Sequence, residues 1–179
     1  MNSIPLDKIL KAKRLRLRIV SFSDIDLVWS ASRYEGFNDG MTWEPPADRK
    51  ELIHITENNL QDWKNDLSDT FTVELTNPLT PIGRIDIRRE DEPDVWSIGF
   101  WVHPEHQNRG NVTEAAQRIM EFGFTELNAS KITTAHAVWN KSSRLVIETL
   151  GFSFVREEPC GFMKDGKPVA EFEYEITKE

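Results

Sequence analysis

The chain has 179 residues, of which 39% are hydrophobic, and its formal net charge is −8 at pH 7. A chain of this length is expected to form a single domain, residues 1–179, that buries roughly 70% of its unfolded surface. Ten Phe and six Trp supply enough apolar surface for a packed core, which excludes a disordered chain, and the acidic balance argues against a nucleic-acid partner.

The composition also disfavours membrane insertion and disulfide bonding. No apolar run approaches the roughly 20 residues of a membrane span, so no membrane partner is expected. The single cysteine, Cys160, allows no internal disulfide, which favours a reducing, cytoplasmic location. Since Cys160 has no sequence-local partner to activate its thiol, a covalent catalytic role is not favoured.

The first part of the chain predicts a strand followed by two helices. Leu and Arg alternate over residues 14–19 with the period of two that is typical of a half-buried strand. Ser23 and Asp24 cap a helix that extends to about residue 32. A second helix is predicted over residues 47–65.

A loop over residues 34–46 joins these two helices and is rich in Gly, Asn, Asp and Pro. Its aromatic side chains could line a substrate groove, or they could pin the loop to the core. The candidate substrate-binding residues are Tyr34, Phe37 and Trp43.

The rest of the chain alternates strands with helices. Strands are predicted over residues 70–75, 81–89, 95–102, 131–138, 153–156 and 169–176, and a helix over 142–150 that Gly151 ends. Gly83 is a possible β-bulge. The acidic loop 90–94 is either a solvated turn or part of a site for a cationic substrate. This order predicts an α/β (mixed α+β) fold, with a central twisted mixed sheet of about six or seven strands flanked by about four helices.

Residues 95–127 carry the most informative pattern. An apolar strand runs into a polar turn and then into a helix whose apolar residues recur every three or four positions. Gly110 lies where the backbone must turn tightly, and Asn111 with Glu114 has the spacing of an N-terminal capping box. Such a turn directs unpaired N–H groups and the positive end of the helix dipole at one point, which suits a phosphate. Arg109 could add a charge-assisted contact, although a Gly before a helix is also common in ordinary turns.

This turn resembles the coenzyme A-binding motif of the GNAT superfamily of N-acetyltransferases. The family pattern Q/R-x-x-G-x-G/A, whose backbone amides hold a pyrophosphate, reads here Gln107-x-x-Gly110-x-Val112. The last position departs from the pattern, because Val112 stands where the family has Gly or Ala.

Two further stretches resemble one branch of that superfamily, the branch that contains the ribosomal-protein N-terminal acetyltransferases. Residues 140–143 followed by 150–152 match its N-x-x-S…LGF segment, and the beginning of the chain is similar to its opening strand, first helix and following loop. The stretches that carry this second likeness are residues 15–18, 23–24 and 43–46.

The resemblance implies an acetyl-CoA-dependent N-acetyltransferase of the GNAT fold in which the amine attacks the thioester directly in a ternary complex. The implied acceptor is the N-terminal α-amino group of a protein or peptide. Alternatives are a small amine (polyamine, aminoglycoside or amino acid) or a non-catalytic CoA-binding sensor. Either a monomer or a homodimer is compatible with the sequence.

The resemblance also implies roles for particular residues. A backbone N–H near residues 100–102 would polarise the thioester carbonyl, and Ser143 would be the general acid for the CoA thiolate. Asn140 would cap the helix and place the serine, whereas simple helix capping would explain both residues equally well. The implied cofactor-binding residues are Phe100, Trp101, Val102, Gln107, Asn108, Arg109, Gly110, Asn111, Val112, Thr113, Asn140, Ser142 and Ser143.

The general base is left open. Relatives often carry a Glu just before the Gly of the central strand, but the residues before Gly99 here are Ser and Ile. A water chain to solvent could serve instead. The candidate carboxylates are Glu44, Asp86 and Glu158.

A metal site is not predicted. His103 and His106 offer two ligands beside a proline, and no matching cluster of Cys or His lies nearby in the sequence. We interpret both histidines as turn residues.

Overall fold

A twisted sheet forms the centre of the computed structural model, which describes residues 4–178. Four α-helices lie within these residues: α1 (Ile25–Ala31), α2 (Arg49–Lys64), α3 (Asn111–Thr125) and α4 (Lys141–Thr149). The eight strands are β1 (Ile9–Lys11), β2 (Leu15–Ile19), β3 (Ser68–Thr76), β4 (Leu79–Arg89), β5 (Val95–Val102), β6 (Lys131–Ala137), β7 (Ser153–Lys164) and β8 (Lys167–Thr177).

The strands follow the order β1-β2-β3-β4-β5-β6-β8-β7. Only the central pair, β5 with β6, is parallel, and the other pairs are antiparallel. The predicted mixed α/β class is therefore confirmed. The sheet has eight strands where six or seven were predicted, because β1 is three residues long and too short to show a hydrophobic period.

The core lies between the sheet and α3. The helix turns Ile119 and Gly123 inward, as its predicted amphipathic pattern requires, and it also buries Phe122. A Cβ on Gly123 would come within 2.8 Å of Ile87 Cδ1 and 2.9 Å of Ile132 Cδ1. The missing side chain therefore lets α3 pack close to the strands that carry the site.

The hairpin of β7 and β8 differs most from the prediction. β7 runs to Lys164 rather than to residue 156, and it joins β8 through Asp165 and Gly166, whose φ angles are +49° and +71°. Two central residues with positive φ are typical of a two-residue hairpin turn. β7 lies at an edge of the sheet, with register shifts between Phe154 and Arg156 and around Pro159. Being largely exposed, it lacks the apolar face by which a strand is recognised in sequence.

The predicted bulge lies where β3 meets β4. The pairing register shifts between Val73 and Glu74, which face Gly83 and Pro81. A Cβ on Gly83 would lie 2.3 Å from Trp101 O, so the glycine allows β5 to approach β4 at this point. No helix among residues 4–178 is both long and apolar enough to span a membrane.

Candidate active site

The two parallel strands separate at the centre of the sheet. β5 and β6 pair only at Val95–Ser97 with Lys131–Thr133. Beyond that point Thr134 Oγ1 donates to Ile98 O at 3.0 Å. Peptide groups alternate between the two sides of a strand, so the Phe100 peptide also faces the gap. The gap therefore presents the main-chain N–H of Phe100 to any molecule that enters it.

A cavity of about 910 Å³ lies over this gap. Its walls come from the loop before α2, the faces of β4 to β6, the start of α4 and the β7–β8 hairpin. The cavity brings together six residues that the sequence singled out: Trp43, Asp86, Phe100, Trp101, Asn140 and Ser143. The other candidates are not among its lining residues: Tyr34, Phe37, Glu44, Val102, the seven residues of the turn 107–113, Ser142 and Glu158.

Asp86 is the one candidate base that reaches the cavity. It lies on β4 opposite Gly99, and a Cβ on Gly99 would come within 2.9 Å of Asp86 Oδ1. The buried Oδ2 atom is 3.1 Å from Arg88 Nε without hydrogen-bond geometry, and it has no hydrogen-bond partner within residues 4–178. Burial raises the pKa of Asp86 to about 6, and the charge of Arg88 opposes part of that rise. A carboxylate in this environment is suited to accept a proton near neutral pH.

The other two candidate carboxylates are engaged elsewhere. Glu44 Oε2 is 3.0 Å from Lys164 Nζ. Glu158 Oε1 accepts the Cys160 N–H at 3.3 Å. Both lie outside the cavity lining, which leaves Asp86 as the carboxylate of the three that could reach a substrate there.

Asn140 and Ser143 lie at the N-terminus of α4. Asn140 Oδ1 accepts the Ser143 N–H at 3.1 Å, so Asn140 is a helix cap, as expected. A Cβ on Gly40 would lie 3.0 Å from Asn140 Nδ2 and 3.2 Å from the Trp139 ring. The loop before α2 thus closes directly on the cap, and Ser143 stays half-buried with access to the cavity.

The predicted capping box at α3 is wrong by one residue. Gly110 is the N-cap, with φ of +72°, and Asn111 is the first helical residue, whose Nδ2 donates to His106 O at 3.0 Å. Glu114 binds Arg14 Nε at 2.7 Å instead of the cap backbone. Glycine adopts this left-handed conformation without steric cost, which makes it well suited to the cap position of this helix.

The turn at Gly110 retains the features expected of an anion site. The first hydrogen bond of α3 runs from Glu114 N–H to Gly110 O at 3.1 Å, so the N–H groups of residues 111–113 have no intrahelical acceptor. Among residues 4–178 no side-chain hydrogen bond caps them, and residues 107–110 are exposed. Arg14 Nη1 donates to Arg109 O at 3.1 Å, which adds a cation beside the turn. These groups fit a diphosphate.

The aromatic residues of the loop over residues 34–46 divide between the two expected roles. Tyr34 donates its hydroxyl to Glu105 at 2.7 Å. Phe37 packs edge-on against Trp101, with ring centroids 5.4 Å apart. Both rings fasten the loop to the body of the protein, whereas Trp43 lines the cavity.

His103, His106 and Cys160 lie outside the cavity lining. His103 is buried, and its Nε2 is 3.1 Å from Ser30 Oγ. Burial lowers the pKa of His106, and the nearby Arg109 adds to this effect. Cys160 is exposed on β7. Within residues 4–178, His, Cys, Asp and Glu form no group of three that could hold a metal ion.

Three features of the cavity were not assigned to it from the sequence: Arg84, Arg88 and, except as one of two alternatives, the acidic loop after β4. Arg84 and Arg88 line the cavity beside Asp86, because alternate residues of β4 share a face. The charged residues that alternate with Ile85 and Ile87 are the signal that could have identified this face. The acidic loop at residues 90–92 also lines the cavity.

Comparisons with known proteins identify the family of this chain. The family model of the acetyltransferase (GNAT) domain matches residues 14–153. The uncharacterized N-acetyltransferase YnaD of Bacillus subtilis is 29% identical over 177 residues, which cover 93% of this chain and 95% of YnaD.

Solved structures share the fold at lower identity. RimL, a ribosomal L7/L12 alpha-N-protein acetyltransferase in complex with coenzyme A, has a TM-score of 0.86 and 15% identity, over 95% of this chain and 98% of its own. Mycobacterium smegmatis RimJ in complex with a CoA disulfide has a TM-score of 0.82 and 21% identity, over 96% of this chain and 88% of its own. With most of its length matched by the family model, the chain belongs to the acetyltransferase (GNAT) domain family, and it is an N-acetyltransferase.

Proposed function

We propose that this enzyme moves the acetyl group of acetyl-CoA to the α-amino group of a peptide or protein by direct attack of the amine. One observation carries the proposal: a single cavity holds a carboxylate with a raised pKa, a hydroxyl group and an unpaired strand edge. The likeness to RimL, which is named as an alpha-N-protein acetyltransferase, supports this class of acceptor.

Each group has one task in the proposed reaction. Bound acetyl-CoA supplies the thioester. Asp86 accepts a proton from the amine, whose ordinary pKa of about 8 lies within reach of a carboxylate that titrates near 6. The N–H of Phe100 stabilises the negative charge on the thioester oxygen. As the C–N bond forms and the C–S bond breaks, Ser143 donates its proton to the leaving sulfur and is reprotonated from solvent.

Ser143→Ala tests the last step. We expect kcat to fall by about 10- to 100-fold, because the thiolate would leave without a positioned proton donor. The Kd for CoA should stay within about twofold, since the lost hydroxyl group acts on the leaving sulfur. The rate is measured by thiol release and the affinity by calorimetry. As a control, Ser142→Ala changes the neighbouring serine, which is exposed and outside the cavity lining. An equal decrease of kcat in Ser143→Ala and Ser142→Ala would contradict the assignment of Ser143 as the proton donor.

Binding of the CoA diphosphate is assigned to the turn at Gly110 and the first N–H groups of α3. Gly110→Ala should weaken CoA binding by about tenfold, because an L-residue resists the +72° φ angle and shifts the donors. Gly151→Ala is a matched control, since Gly151 has φ of +85°, with nothing within 4 Å of an added Cβ. Both variants should lose about 1 kcal/mol of stability, but only Gly110→Ala should lose affinity. Calorimetric titration with CoA measures the difference, and equal Kd values would contradict the assignment.

A small polycationic amine is the second candidate acceptor. Glu90, Asp91 and Glu92 all line the cavity, so the acidic loop faces the site rather than only solvent. Carboxylates in this position would attract an amine that carries further positive charges.

A thiol-release assay with acetyl-CoA separates these possibilities. The acceptors are peptides with free N-termini and, in parallel, polyamines. Turnover with peptides supports the proposal, and turnover with polyamines alone supports the second candidate. If folded protein that binds CoA releases no thiol with any acceptor, the proposal fails and the sensor alternative is supported.

A further inference from the structure

Arg84 is a buried cation with an unsatisfied hydrogen-bond donor. The residue is 8% exposed, and its Nε atom is buried without a hydrogen-bond acceptor in the described part of the chain. Burial lowers the pKa of Arg84 to about 10, so the guanidinium stays charged at neutral pH. A buried charge without a partner is costly, and it is explained when a ligand supplies the opposite group.

Two carboxylates of this region, Asp24 and Glu74, are already occupied by other groups, although the charge of Asp24 favours the charged form of Arg84. Asp24 accepts two hydrogen bonds from Arg18, at 2.6 and 3.0 Å, and one from Thr72 at 2.7 Å. Glu74 accepts from Arg18 at 2.9 Å and from Arg16 at 2.6 Å. Two arginines thus satisfy both carboxylates, and Arg84 is left as the surplus cation of this region.

The position of Arg84 relates it to the reaction. It lines the cavity and lies two residues from Asp86 on the same face of β4. Across the sheet Arg84 pairs with Trp101, and Asp86 pairs with Gly99. The guanidinium therefore belongs to the same wall of the cavity as the proposed base.

We propose that Arg84 binds the oxygen of the carbonyl or carboxylate group attached to the carbon that bears the acceptor amine, so that the enzyme selects α-amino groups that are followed by a carbonyl or carboxylate. This inference rests on the proposed function and assigns the residue that recognises its acceptor class. Positions i and i+2 of a strand are about 7 Å apart. An α-amino nitrogen and the carbonyl oxygen of the same residue are about 3 Å apart, so one acceptor can present both groups to the same wall of the cavity.

The same geometry disfavours a polyamine. Its amine could approach Asp86, but the carbons that follow carry no acceptor for Arg84 and lead to further ammonium groups. Two of the acidic groups in the cavity are also neutralised, since Glu173 lies 3.0 Å from Arg156 and Glu175 lies 3.5 Å from Lys131. The positive charge of Arg84 thus opposes the attraction of a polyamine by the remaining carboxylates.

A pair of small acceptors isolates the contact when kcat/KM is expressed per concentration of neutral amine, because an α-amino group has a pKa of about 8 and a simple alkylamine one of about 10. Alaninamide and isopropylamine share the branched amine carbon and differ in the carboxamide. We expect the wild type to prefer alaninamide in kcat/KM by about 10- to 100-fold, the range of one charge-assisted hydrogen bond. Arg84→Met should abolish this preference by lowering kcat/KM for alaninamide alone, and Arg84→Lys should retain part of it. Free alanine and a tetrapeptide with N-terminal alanine then show whether a carboxylate or a peptide carbonyl is the natural group.

Thermal unfolding distinguishes recognition from a structural role. Arg84→Met removes an unpaired buried charge, so its Tm should be unchanged or higher than that of the wild type. Arg16→Met is the matched control, because it removes an arginine that is paired with Glu74 at 2.6 Å and does not line the cavity. It should lower Tm and leave the preference intact.

Three outcomes would overturn the inference. The first is an unchanged preference in Arg84→Met, and the second is equal loss of rate with both amines. The third is an absence of thiol release by the wild type with every acceptor, which would remove the proposed function itself and this inference with it.

Discussion

Replacing Asp86 by asparagine is expected to lower kcat by about 100- to 1,000-fold, the range typical of a lost general base. The amide keeps the size of the side chain and its contact with Gly99 but cannot accept the proton. Since burial raises the pKa of Asp86 to about 6, the wild-type rate should decline on the acid side of that value. A profile of kcat against pH should show this acid limb in the wild type and a loss of the limb in Asp86→Asn.

The two remaining carboxylate candidates serve as controls. Glu44→Gln and Glu158→Gln remove groups that lie outside the cavity lining. Both variants should keep kcat within about twofold of the wild type and retain the acid limb. If Asp86→Asn is equally active and one of these variants is impaired, the base has been wrongly assigned.

The Asp69→Asn variant should be more stable than the wild type at pH 8 by roughly 2 to 4 kcal/mol. Asp69 lies on β3 and is 4% exposed, and burial raises its pKa from 3.8 to about 7, with the nearby charge of Asp66 adding to the rise. Between these two pH values the folded state binds more protons than the unfolded state, so stability decreases as pH rises through this window. A rise of about 3 in the pKa of Asp69 corresponds to about 4 kcal/mol of unfolding free energy, which is the upper end of this range.

Urea unfolding at pH 3.5 and at pH 8 measures this effect. The unfolding free energies of wild type and Asp69→Asn should differ little at pH 3.5, where the Asp69 carboxyl group is largely protonated in both the folded and the unfolded state. Asp26→Asn is the control, because the Asp26 side chain is 83% exposed and its loss should leave the pH dependence unchanged. If wild type and Asp69→Asn differ in unfolding free energy by the same amount at both pH values, the stabilisation does not come from the ionisation of Asp69.

The sequence predicted best where local periodicity and burial coincide. β5 has its predicted bounds, and α3 occupies its predicted segment, because each has a continuous apolar pattern. The helix cap was predicted at Asn111 rather than Gly110, since spacing alone does not reveal which residue leaves the helical conformation. β7 was cut short because an exposed edge strand buries no regular face.

The residues of β4 that line the cavity could be predicted only in part. Three carboxylates were equivalent in sequence, and what separates Asp86 is burial on a face assembled from strands distant in the chain. Arg84 is a candidate ligand-binding residue because Arg16 and Arg18 pair with Glu74 and Asp24. Such competition for partners depends on tertiary contacts that no local pattern encodes.

The irregular course of β7 also has a consequence for colloidal behaviour. A long outer strand with open peptide groups is a template on which another chain can extend the sheet. Here Pro159 offers no amide hydrogen, and the two register shifts interrupt the row of donors and acceptors on either side. A neighbouring molecule could match only short stretches of this margin, which protects the enzyme from fibrillar self-association despite the exposed Phe154 and Met163.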